Sequence, residues 1–235
     1  MGSSRLPGKV MMDVAGKPAI ERLVERLGAA RMVDDVILAT STAPADDALA
    51  AWAAHYGIAC HRGSEDDVLG RVVGAQQAAA GETVVEITGD CTLLCPEIID
   101  LGIETFLAGD CDVVSNTWKS GFPLGADVQV FPLRLLEEVA ETVDDPAVRE
   151  HVSLYFYEHP ERYRIVHLEP PQRWRRPELR LQLDYPEDHA FISAVYTAVE
   201  PRLGPAFGLD AILDLLDARP EIASLNAHCE EKAPR

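Results

Sequence analysis

Residues 83–91 read TVVEITGDC, a run of β-branched residues that ends in a glycine and an aspartate. A run of this kind, bounded by a turn signal, is typical of a strand that is buried on both faces of a sheet. Similar short runs recur along the chain and are separated by longer helical patterns. Strands are therefore predicted at residues 36–40, 58–61, 83–88, 112–116, 128–131, 164–168 and 179–183.

The intervening stretches carry the periodicity of amphipathic helices, as in the first one, where the apolar positions are Ile20, Leu23, Val24 and Leu27. Helices are predicted at residues 18–30, 46–55, 67–80, 96–107, 132–143, 146–159, 186–199 and 209–216. This alternation favours an α/β fold with a mostly parallel mixed sheet and helices on both faces. Closer strand spacing between residues 112 and 183 indicates an antiparallel excursion. Because no repeat or long linker interrupts residues 1–235, we predict a single domain.

Composition narrows the class of protein. The chain has 235 residues, 47% hydrophobic and 26% charged, with a formal net charge of −18 and five scattered cysteines. A chain of this size can bury a core without disulfides, and so acidic a surface argues against nucleic acid as a partner. The apolar stretches fall well short of the roughly 18–20 residues of a membrane span, and no signal-peptide pattern opens the sequence. We therefore expect a cytoplasmic protein with no membrane partner.

Polar clusters lie at the expected strand ends, where open α/β sheets bind ligands. The stretch GSSRLPGK at residues 2–9 offers backbone N–H groups, hydroxyls and the charges of Arg5 and Lys9, which suits either a polyphosphate nest or a mobile terminal tail. Asp90 follows the strand at 83–88 directly, as a Mg²⁺ ligand or a simple turn residue.

Two further clusters follow the same rule. Asp184 comes directly after the predicted strand at 179–183, where it can reach a metal or cap the helix that begins near Pro186. Arg62 and Ser64 lie between a strand and a helix, which suits a nucleotide or a capped loop equally well. Each cluster alone is a weak signal, and their order along the chain strengthens them.

In that order the chain resembles the cytidylyltransferase family that includes CMP-KDO synthetase and acylneuraminate cytidylyltransferase, above all its spore-coat polysaccharide biosynthesis protein F branch. The matching segments are GSSRLPGKV (2–10), GKP (16–18), DDVILATST (34–42), RGSEDDVL (62–69), ITGDC (87–91), PEIID (96–100), DVVSNT (112–117), REHV (149–152), YEHPE (157–161) and LDYPED (183–188). The resemblance implies a Rossmann-like nucleotide-diphospho-sugar transferase fold. It also implies transfer of CMP from CTP to a sugar or sugar acid, with release of pyrophosphate, for polysaccharide or glycoconjugate biosynthesis.

The resemblance also implies roles for individual residues. Ser4, Arg5 and Lys9 match the segment that wraps the CTP triphosphate, and Arg62 and Ser64 match the segment that lines the nucleoside end. These residues, together with Asp90, form the expected nucleotide site.

Asp90 and Asp184 match the two carboxylates that hold Mg²⁺, and with Arg5 and Lys9 they form the expected catalytic set. The segment that faces the sugar is matched by Phe122, Gly125, Asp127 and Gln129, and its neighbours by Arg149, Glu150 and His151. Residues 149–151 are equally well explained as a capped, salt-bridged helix start. The resemblance further implies a homodimer that pairs through the excursion at 112–183.

The sequence departs from the family pattern in several places. Thr92 stands where the family has a proline, Glu86 where relatives often carry a basic residue, and Gly70 at a position that is frequently acidic. The family also begins with a central strand ahead of the glycine matched by Gly2, so we expect the reading frame to encode such a strand upstream. A glycosyltransferase, a guanylyltransferase and a non-catalytic nucleotide-binding relative remain alternatives, and the sequence identifies neither the sugar nor a general base.

Overall fold

The computed structural model describes residues 1–117 and 121–230. A short 3-10 turn at Lys9–Met11 precedes the hairpin of β1 (Asp13–Val14) and β2 (Lys17–Pro18). The remaining strands are β3 (Ile37–Ser41), β4 (Ala59–Gly63), β5 (Thr83–Glu86), β6 (Val113–Ser115), β7 (Gln129–Pro132) and β8 (Ile165–His167). The helices are α1 (Ala19–Leu27), α2 (Asp47–Tyr56), α3 (Val68–Ala79), α4 (Pro96–Ala108), α5 (Leu133–Thr142), α6 (Pro146–Glu150), α7 (Leu154–Glu158), α8 (Pro186–Leu203), α9 (Leu209–Ala218) and α10 (Pro220–Ala223).

The strands form a mixed α/β arrangement, as predicted. β3 pairs in parallel with β4, from Ile37 opposite Ala59 to Ser41 opposite Gly63. A second sheet has the order β5-β7-β6-β8, in which β6 and β8 are parallel while β7 is antiparallel to both of its neighbours. Antiparallel pairing was predicted only between residues 112 and 183, but it also includes β5, because β7 inserts between β5 and β6. The sheet is therefore less parallel than expected.

Helices cover both faces of the second sheet. Val114 and Val130 pack into one apolar cluster with residues of α1, α4 and α8, whereas Val113 and Phe131 pack into another with residues of α3, α5 and α7. Successive residues of a strand point to opposite faces, so each strand contributes to both clusters. Within the part of the chain that the structure describes, no helix is long and apolar enough to cross a membrane.

One predicted strand and one predicted helix are wrong. Residues 179–183 form only a single bridge, between Leu124 and Arg180, because their backbone bonds are divided between two partners. The Leu181 N–H donates to the Leu124 carbonyl at 2.7 Å, whereas the Leu183 N–H donates to the Asp90 carbonyl at 3.0 Å. The helix at 146–159 divides into α6 and α7 because the backbone at His151 is extended, with φ −116° and ψ 95°.

Buried arginines attach α1 to the rest of the fold. The Arg26 side chain has no exposed surface, and its guanidinium donates to the Leu94 and Phe207 carbonyls, each at 2.6 Å. Arg22 similarly donates to the Val14 carbonyl at 3.0 Å, which ties α1 to the β1–β2 hairpin. Arg26 thus holds in place the loop that follows Asp90.

Candidate active site

The first nine residues cross the carboxyl ends of three strands. The Met1 ammonium donates to the Asp46 carboxylate, which follows β3, at 2.7 Å. Gly2 lies against Glu65, which follows β4, so closely that a Cβ on it would lie 3.2 Å from the Glu65 Oε1. Lys9 reaches Asp90, which follows β5. The segment therefore occupies the edge where the fold class predicts a ligand site.

A tight turn presents Lys9 to this edge. Gly8 has φ +72°, in the left-handed region that favours glycine, and the Lys9 N–H donates to the Leu6 carbonyl at 3.2 Å. The next turn follows at once, since the Met11 N–H donates to the Gly8 carbonyl at 2.9 Å. The stretch that the sequence offered as a nest or a mobile tail is a series of hydrogen-bonded turns.

The Lys9 ammonium lies between two carboxylates from distant parts of the chain. Its Nζ is 2.6 Å from Asp90 Oδ2 and 2.8 Å from Asp184 Oδ1. Burial by itself lowers the pKa of Lys9, but the charges and hydrogen bonds of Asp90 and Asp184 outweigh that effect and raise it above its ordinary value. The ammonium therefore remains charged and joins the two acidic loops.

Asp184 is almost fully enclosed by cations. Its carboxylate accepts from Lys9, its Oδ1 lies 2.9 Å from Arg5 Nη2, and its Oδ2 accepts from Arg180 Nη2 at 2.8 Å. Burial would raise the pKa of Asp184, but the hydrogen bond from Lys9 and the charges of Lys9, Arg5 and Arg180 lower it. The carboxylate is accordingly anionic at neutral pH.

The first turn of α8 supports this arrangement. The fully buried Asp188 carboxylate accepts from Arg180 Nε at 3.0 Å and from Asn226 Nδ2 at 2.8 Å. It also accepts the backbone N–H groups of Asp184 and Tyr185, at 2.9 and 3.0 Å. The capping role that the sequence left open for Asp184 thus belongs to Asp188, which leaves Asp184 directed at Lys9.

Thr88 and the main chain of Leu183 fix the position of Asp90. The Thr88 hydroxyl donates to Asp90 Oδ1 at 2.6 Å, so that Oδ2 is the oxygen that meets Lys9. The Asp90 carbonyl accepts the Leu183 N–H at 3.0 Å, which fixes the two acidic loops to each other through the main chain. Gly89 lies against Val10, since a Cβ on it would come within 3.3 Å of Val10 Cγ1.

Two guanidinium nitrogens at this site lack a hydrogen-bond partner. Within the described residues, Arg5 Nη1 and Arg180 Nη1 are buried and unpaired. Both guanidinium groups lie near the Tyr185 ring, with their Cζ atoms 5.3 and 5.5 Å from its centroid. A buried donor without a partner costs about 1–3 kcal/mol, so such donors indicate a ligand with acceptor oxygens. Anionic phosphate oxygens have that chemistry.

The donor set fits a divalent cation shared with a ligand. Residues 1–117 and 121–230 contain no cluster of three or more His, Cys, Asp or Glu side chains able to hold a metal. Mg²⁺ commonly takes one or two carboxylates and completes its octahedron with phosphate oxygens and water. Asp90 and Asp184 converge on one atom, Lys9 Nζ, and provide such a pair of carboxylates.

The other expected nucleotide residues lie at the same edge but are not in contact with Lys9. Ser4 is exposed on the segment between Met1 and Arg5. Arg62 Nε donates to the Ser41 carbonyl at 2.9 Å, and its Nη2 pairs with Asp47 at 2.7 Å. Ser64 is exposed, and its carbonyl accepts from Arg71.

Gln129, itself buried, belongs to a partly buried chain of polar side chains that crosses the sheet. Its Nε2 donates to Glu86 Oε2 and its Oε1 accepts from the Tyr157 hydroxyl, both at 2.6 Å. The same hydroxyl lies 2.6 Å from Ser115 Oγ and 2.8 Å from Thr117 Oγ1. Burial raises the pKa of Glu86 to about 7, with a further increase from the charge of Asp90.

Phe122 and Gly125 pack the loop ahead of β7. Phe122 is buried, with its ring centroid 6.4 Å from that of Trp174. Gly125 has φ +88°, and a Cβ on it would lie 2.6 Å from the Gln182 backbone nitrogen, so only glycine fits. Asp127, further along this loop, is half-buried.

The structure does not bring Arg149 to the carboxylate pair. Arg149 Nε donates to the Val143 carbonyl at 2.9 Å, and its Nη1 lies 3.3 Å from the Asp67 carboxylate at the start of α3. Glu150 is exposed at the end of α6 and His151 is half-buried in the break before α7. The ion pair of Arg149 with Asp67 agrees with the salt-bridged alternative, but residues 149–151 lie at the end of α6 and not at a helix start.

Sequence reasoning missed part of the site. Arg180, Asp188 and Asn226 surround Asp184, and Glu86 and Tyr157 flank Gln129. The spacing of Arg180, Asp184 and Asp188 at four-residue intervals was a usable signal, although it runs from an extended segment into a helix. Asn226 gave none.

The fold and its strand-end site define a class, the nucleotide-sugar transferases of α/β architecture. The structure superposes on a cytidylyltransferase from Leptospira borgpetersenii with a TM-score of 0.87 and 27% identity, over 99% of this chain and 95% of that one. A family profile described as cytidylyltransferase matches residues 1–219. The chain belongs to the cytidylyltransferase family.

Two curated relatives confirm the resemblance seen in the sequence. The spore coat polysaccharide biosynthesis protein SpsF of Bacillus subtilis is 33% identical over 230 residues, which cover 95% of this chain and 93% of that protein. The 3-deoxy-manno-octulosonate cytidylyltransferase of Rhodopseudomonas palustris is 30% identical over 240 residues, covering 95% and 94% of the two chains.

Proposed function

We propose that this chain transfers CMP from CTP to a sugar or sugar acid and releases pyrophosphate, in the assembly of a polysaccharide or glycoconjugate. The observation that carries the proposal is the convergence of Arg5 and Lys9 on Asp90 and Asp184 at the strand ends. In this proposal residues 1–235 act as one domain. Membership of the family supports the reaction class.

The cationic side chains take the triphosphate. Arg5 and Arg180 each hold a buried nitrogen that has no hydrogen-bond partner among the described residues, and phosphate oxygens would accept from it. Ser4 adds a hydroxyl on the same segment, and Arg62 and Ser64 lie further along the edge for the nucleoside end. Binding of the triphosphate draws Lys9 from the carboxylates onto a phosphate oxygen.

Asp90 and Asp184 would hold Mg²⁺ beside the nucleotide, and the bound ion would supply neutralisation of charge on the phosphates. Asp184 retains Arg180 when Lys9 moves, so its orientation survives the exchange. Asp90 likewise retains the hydrogen bond from Thr88, which keeps its carboxylate oriented after Lys9 has moved.

The acceptor lies beside Gln129, whose amide connects Glu86 to Tyr157. A sugar hydroxyl in this position can attack the α-phosphorus in line while pyrophosphate leaves on the Arg5 and Lys9 side. Phe122 and Gly125 shape the neighbouring loop, where Asp127 also lies. Arg149, in α6, and His151, in the break after it, are assigned to the sugar side through the resemblance alone, because Arg149 is held by the Val143 carbonyl and the Asp67 carboxylate.

The test is pyrophosphate release with CTP, GTP, UTP or ATP, Mg²⁺ and a panel of sugars and sugar acids. We expect release with CTP and its loss in Asp90→Asn, while the exposed Asp35→Asn serves as the matched control. Release with GTP alone would identify a guanylyltransferase. Consumption of a nucleotide sugar without pyrophosphate would identify a glycosyltransferase, and nucleotide binding without turnover a non-catalytic relative.

A further inference from the structure

A row of polar side chains crosses the second sheet at the edge where the candidate site lies. It is formed by the last residues of β5, β6 and β8 and the first residue of β7, which pair in register: Glu86 with Gln129, Gln129 with Ser115, and Ser115 with His167. Paired residues of neighbouring strands point to the same face of a sheet. Because Asp90 follows in the loop that leaves β5, this polar row lies beside the carboxylate pair.

The polar row is the outermost layer on its face of the sheet. The next side chains on that face, toward the interior, are apolar: Val84, Val113 and Phe131 are buried in one cluster, and Ile165 packs against it. Thr117, which follows β6, is exposed. The change from apolar to polar side chains therefore occurs where the sheet face reaches the ligand-binding edge.

Hydrogen bonds along the polar row run toward Glu86 and leave acceptor oxygens free. Gln129 Nε2 donates to Glu86 Oε2, and the Tyr157 hydroxyl donates to Gln129 Oε1. Because the Tyr157 proton is used there, its oxygen accepts from the hydroxyls of Ser115 and Thr117. Gln129 is the only hydrogen-bond partner of Glu86 within the described residues, so Glu86 Oε1 can accept from a ligand.

The surroundings of the polar row disfavour negative charge. Within residues 1–117 and 121–230, no lysine or arginine donates to Glu86, Gln129 or Ser115. Burial, and after it the charge of Asp90, raises the pKa of Glu86 to about 7. Proteins bind carboxylates through arginine, lysine or N–H donors. A substrate carboxylate beside Glu86 would therefore meet the same unfavourable environment without a compensating cation.

His167, at the far end of the polar row, favours a hydroxyl as its partner. Its Nδ1 is buried and has no hydrogen-bond partner within the described part of the chain. Buried polar atoms of this kind indicate a ligand or a water molecule. A hydroxyl both donates and accepts, so it satisfies Nδ1 in either tautomer of the ring, whereas a carboxylate can only accept.

We propose that the acceptor in this reaction is a neutral sugar whose hydroxyls bind the polar row, and that Glu86 excludes sugar acids. The inference rests on the proposed function and narrows its acceptor to one chemical class. A sugar hydroxyl donates to Glu86 Oε1, whereas a carboxylate in its place repels Glu86 and finds no donor. Specificity then comes from an unfavourable contact with the wrong substrate as well as from favourable contacts with the right one.

The experiment measures pyrophosphate release with CTP and Mg²⁺ for paired acceptors. Each neutral sugar, such as glucose, galactose or mannose, is paired with the acid in which a carboxylate replaces a CH₂OH group, and 2-keto-3-deoxy sugar acids are included. We expect release with a neutral sugar, and a kcat/KM about tenfold or more lower for the acid. Release with a sugar acid at an equal or higher kcat/KM would overturn this inference and leave the proposed function standing. No release with any sugar would overturn the proposed function, and this inference with it.

Glu86→Gln tests the residue itself, because it removes the charge and keeps an oxygen that can accept from Gln129. Each acid is also measured as an inhibitor of the neutral sugar, which gives its affinity where turnover is absent. We expect the preference for the neutral sugar over the acid to fall about tenfold in the variant, mainly through tighter binding of the acid. Glu82→Gln, at an exposed position just ahead of β5, is the matched control and should keep the native preference. A native preference in Glu86→Gln would overturn the inference.

Discussion

Replacement of Lys9 by methionine tests how the carboxylate pair is held. The substitution keeps the length of the side chain and removes the charge that lies 2.6 Å from Asp90 and 2.8 Å from Asp184. Asp184 keeps its contacts with Arg5 and Arg180, whereas Asp90 keeps the hydrogen bond from Thr88. Both carboxylates then face each other without the shared ammonium.

The expected cost follows from the burial of the three groups. Loss of one partner from a fully buried ion pair costs about 3–5 kcal/mol. Here the Lys9 and Asp90 side chains are 13% and 14% exposed, and Asp184 retains two cations, which reduces the figure to about 2–3 kcal/mol. Lys9 helps to lower the pKa of Asp184, so its stabilising effect is present above the ordinary pKa of an aspartate and is lost as the pH falls through the lowered value.

The same substitution should improve binding of Mg²⁺ in the absence of nucleotide. In the native chain the cation has to displace the ammonium, whereas in Lys9→Met the ammonium no longer lies between the two carboxylates. We expect about tenfold tighter binding, equivalent to about 1.4 kcal/mol. Urea unfolding at several Mg²⁺ concentrations measures both effects, because a ligand of the native state raises the free energy of unfolding.

Lys17→Met is the matched control, since Lys17 pairs with Glu25 on α1, outside the cluster around Lys9. It should cost less than about 1 kcal/mol and leave Mg²⁺ binding unchanged. Equal destabilisation by both variants, or equal Mg²⁺ affinity in Lys9→Met and the native chain, would refute the reasoning.

Four further outcomes are expected. Asp90→Asn and Asp184→Asn should each lower the rate of pyrophosphate release about 100-fold or more. Near-native release in either variant would show that the substituted carboxylate is not needed to bind Mg²⁺. Glu86→Gln should flatten the pH dependence of stability measured by urea unfolding. Because the pKa of Glu86 is raised to about 7 in the folded protein, the free energy of unfolding of the native chain should fall by about 2–3 kcal/mol as the pH rises from about 4.5 to 7. An equally steep fall in the variant would contradict this assignment. Arg26→Met should cost about 3 kcal/mol or more in the same assay, because it leaves buried carbonyls without donors, and a cost under about 1 kcal/mol would argue against that role. Light scattering should give a dimer mass that Val166→Asp, on the exposed face of edge strand β8, reduces to a monomer mass, and a native monomer at micromolar concentration would count against pairing there.

Most secondary structure followed from local patterns because hydrophobic period and β-branching are local properties. The six predicted strands that begin at residues 36, 58, 83, 112, 128 and 164 each overlap an observed one. The seventh failed because pairing is not local: residues 179–183 have strand composition, but Leu124 and Asp90 each take only part of their hydrogen bonds. Likewise, the position of β7 between β5 and β6 depends on sheet order, which composition does not encode.

The candidate site likewise has residues that the sequence could predict and contacts that it could not. Asp90 and Asp184 were predictable because polar residues directly after strands meet at one edge of a sheet. The contacts of Arg62 and Arg149 with nearby carbonyls and carboxylates were not predictable, because an arginine that anchors a loop and one that awaits a phosphate have the same local sequence. Only their observed partners distinguish the two uses.

The positions of Lys9, Asp90 and Asp184 along the chain determine when their contacts can form during protein synthesis. Lys9 and Asp90 are separated by 81 positions, whereas Lys9 and Asp184 are separated by 175. At a translation rate of about 5–20 residues per second, Asp184 is polymerised roughly 9–35 s after Lys9. Arg180 and Asn226, which orient Asp184 and Asp188, are also made later than Asp90. The site around Lys9 can therefore form on the ribosome only after Asp184 has been made, and a nascent chain released before that point carries Lys9 and Asp90 without the second carboxylate.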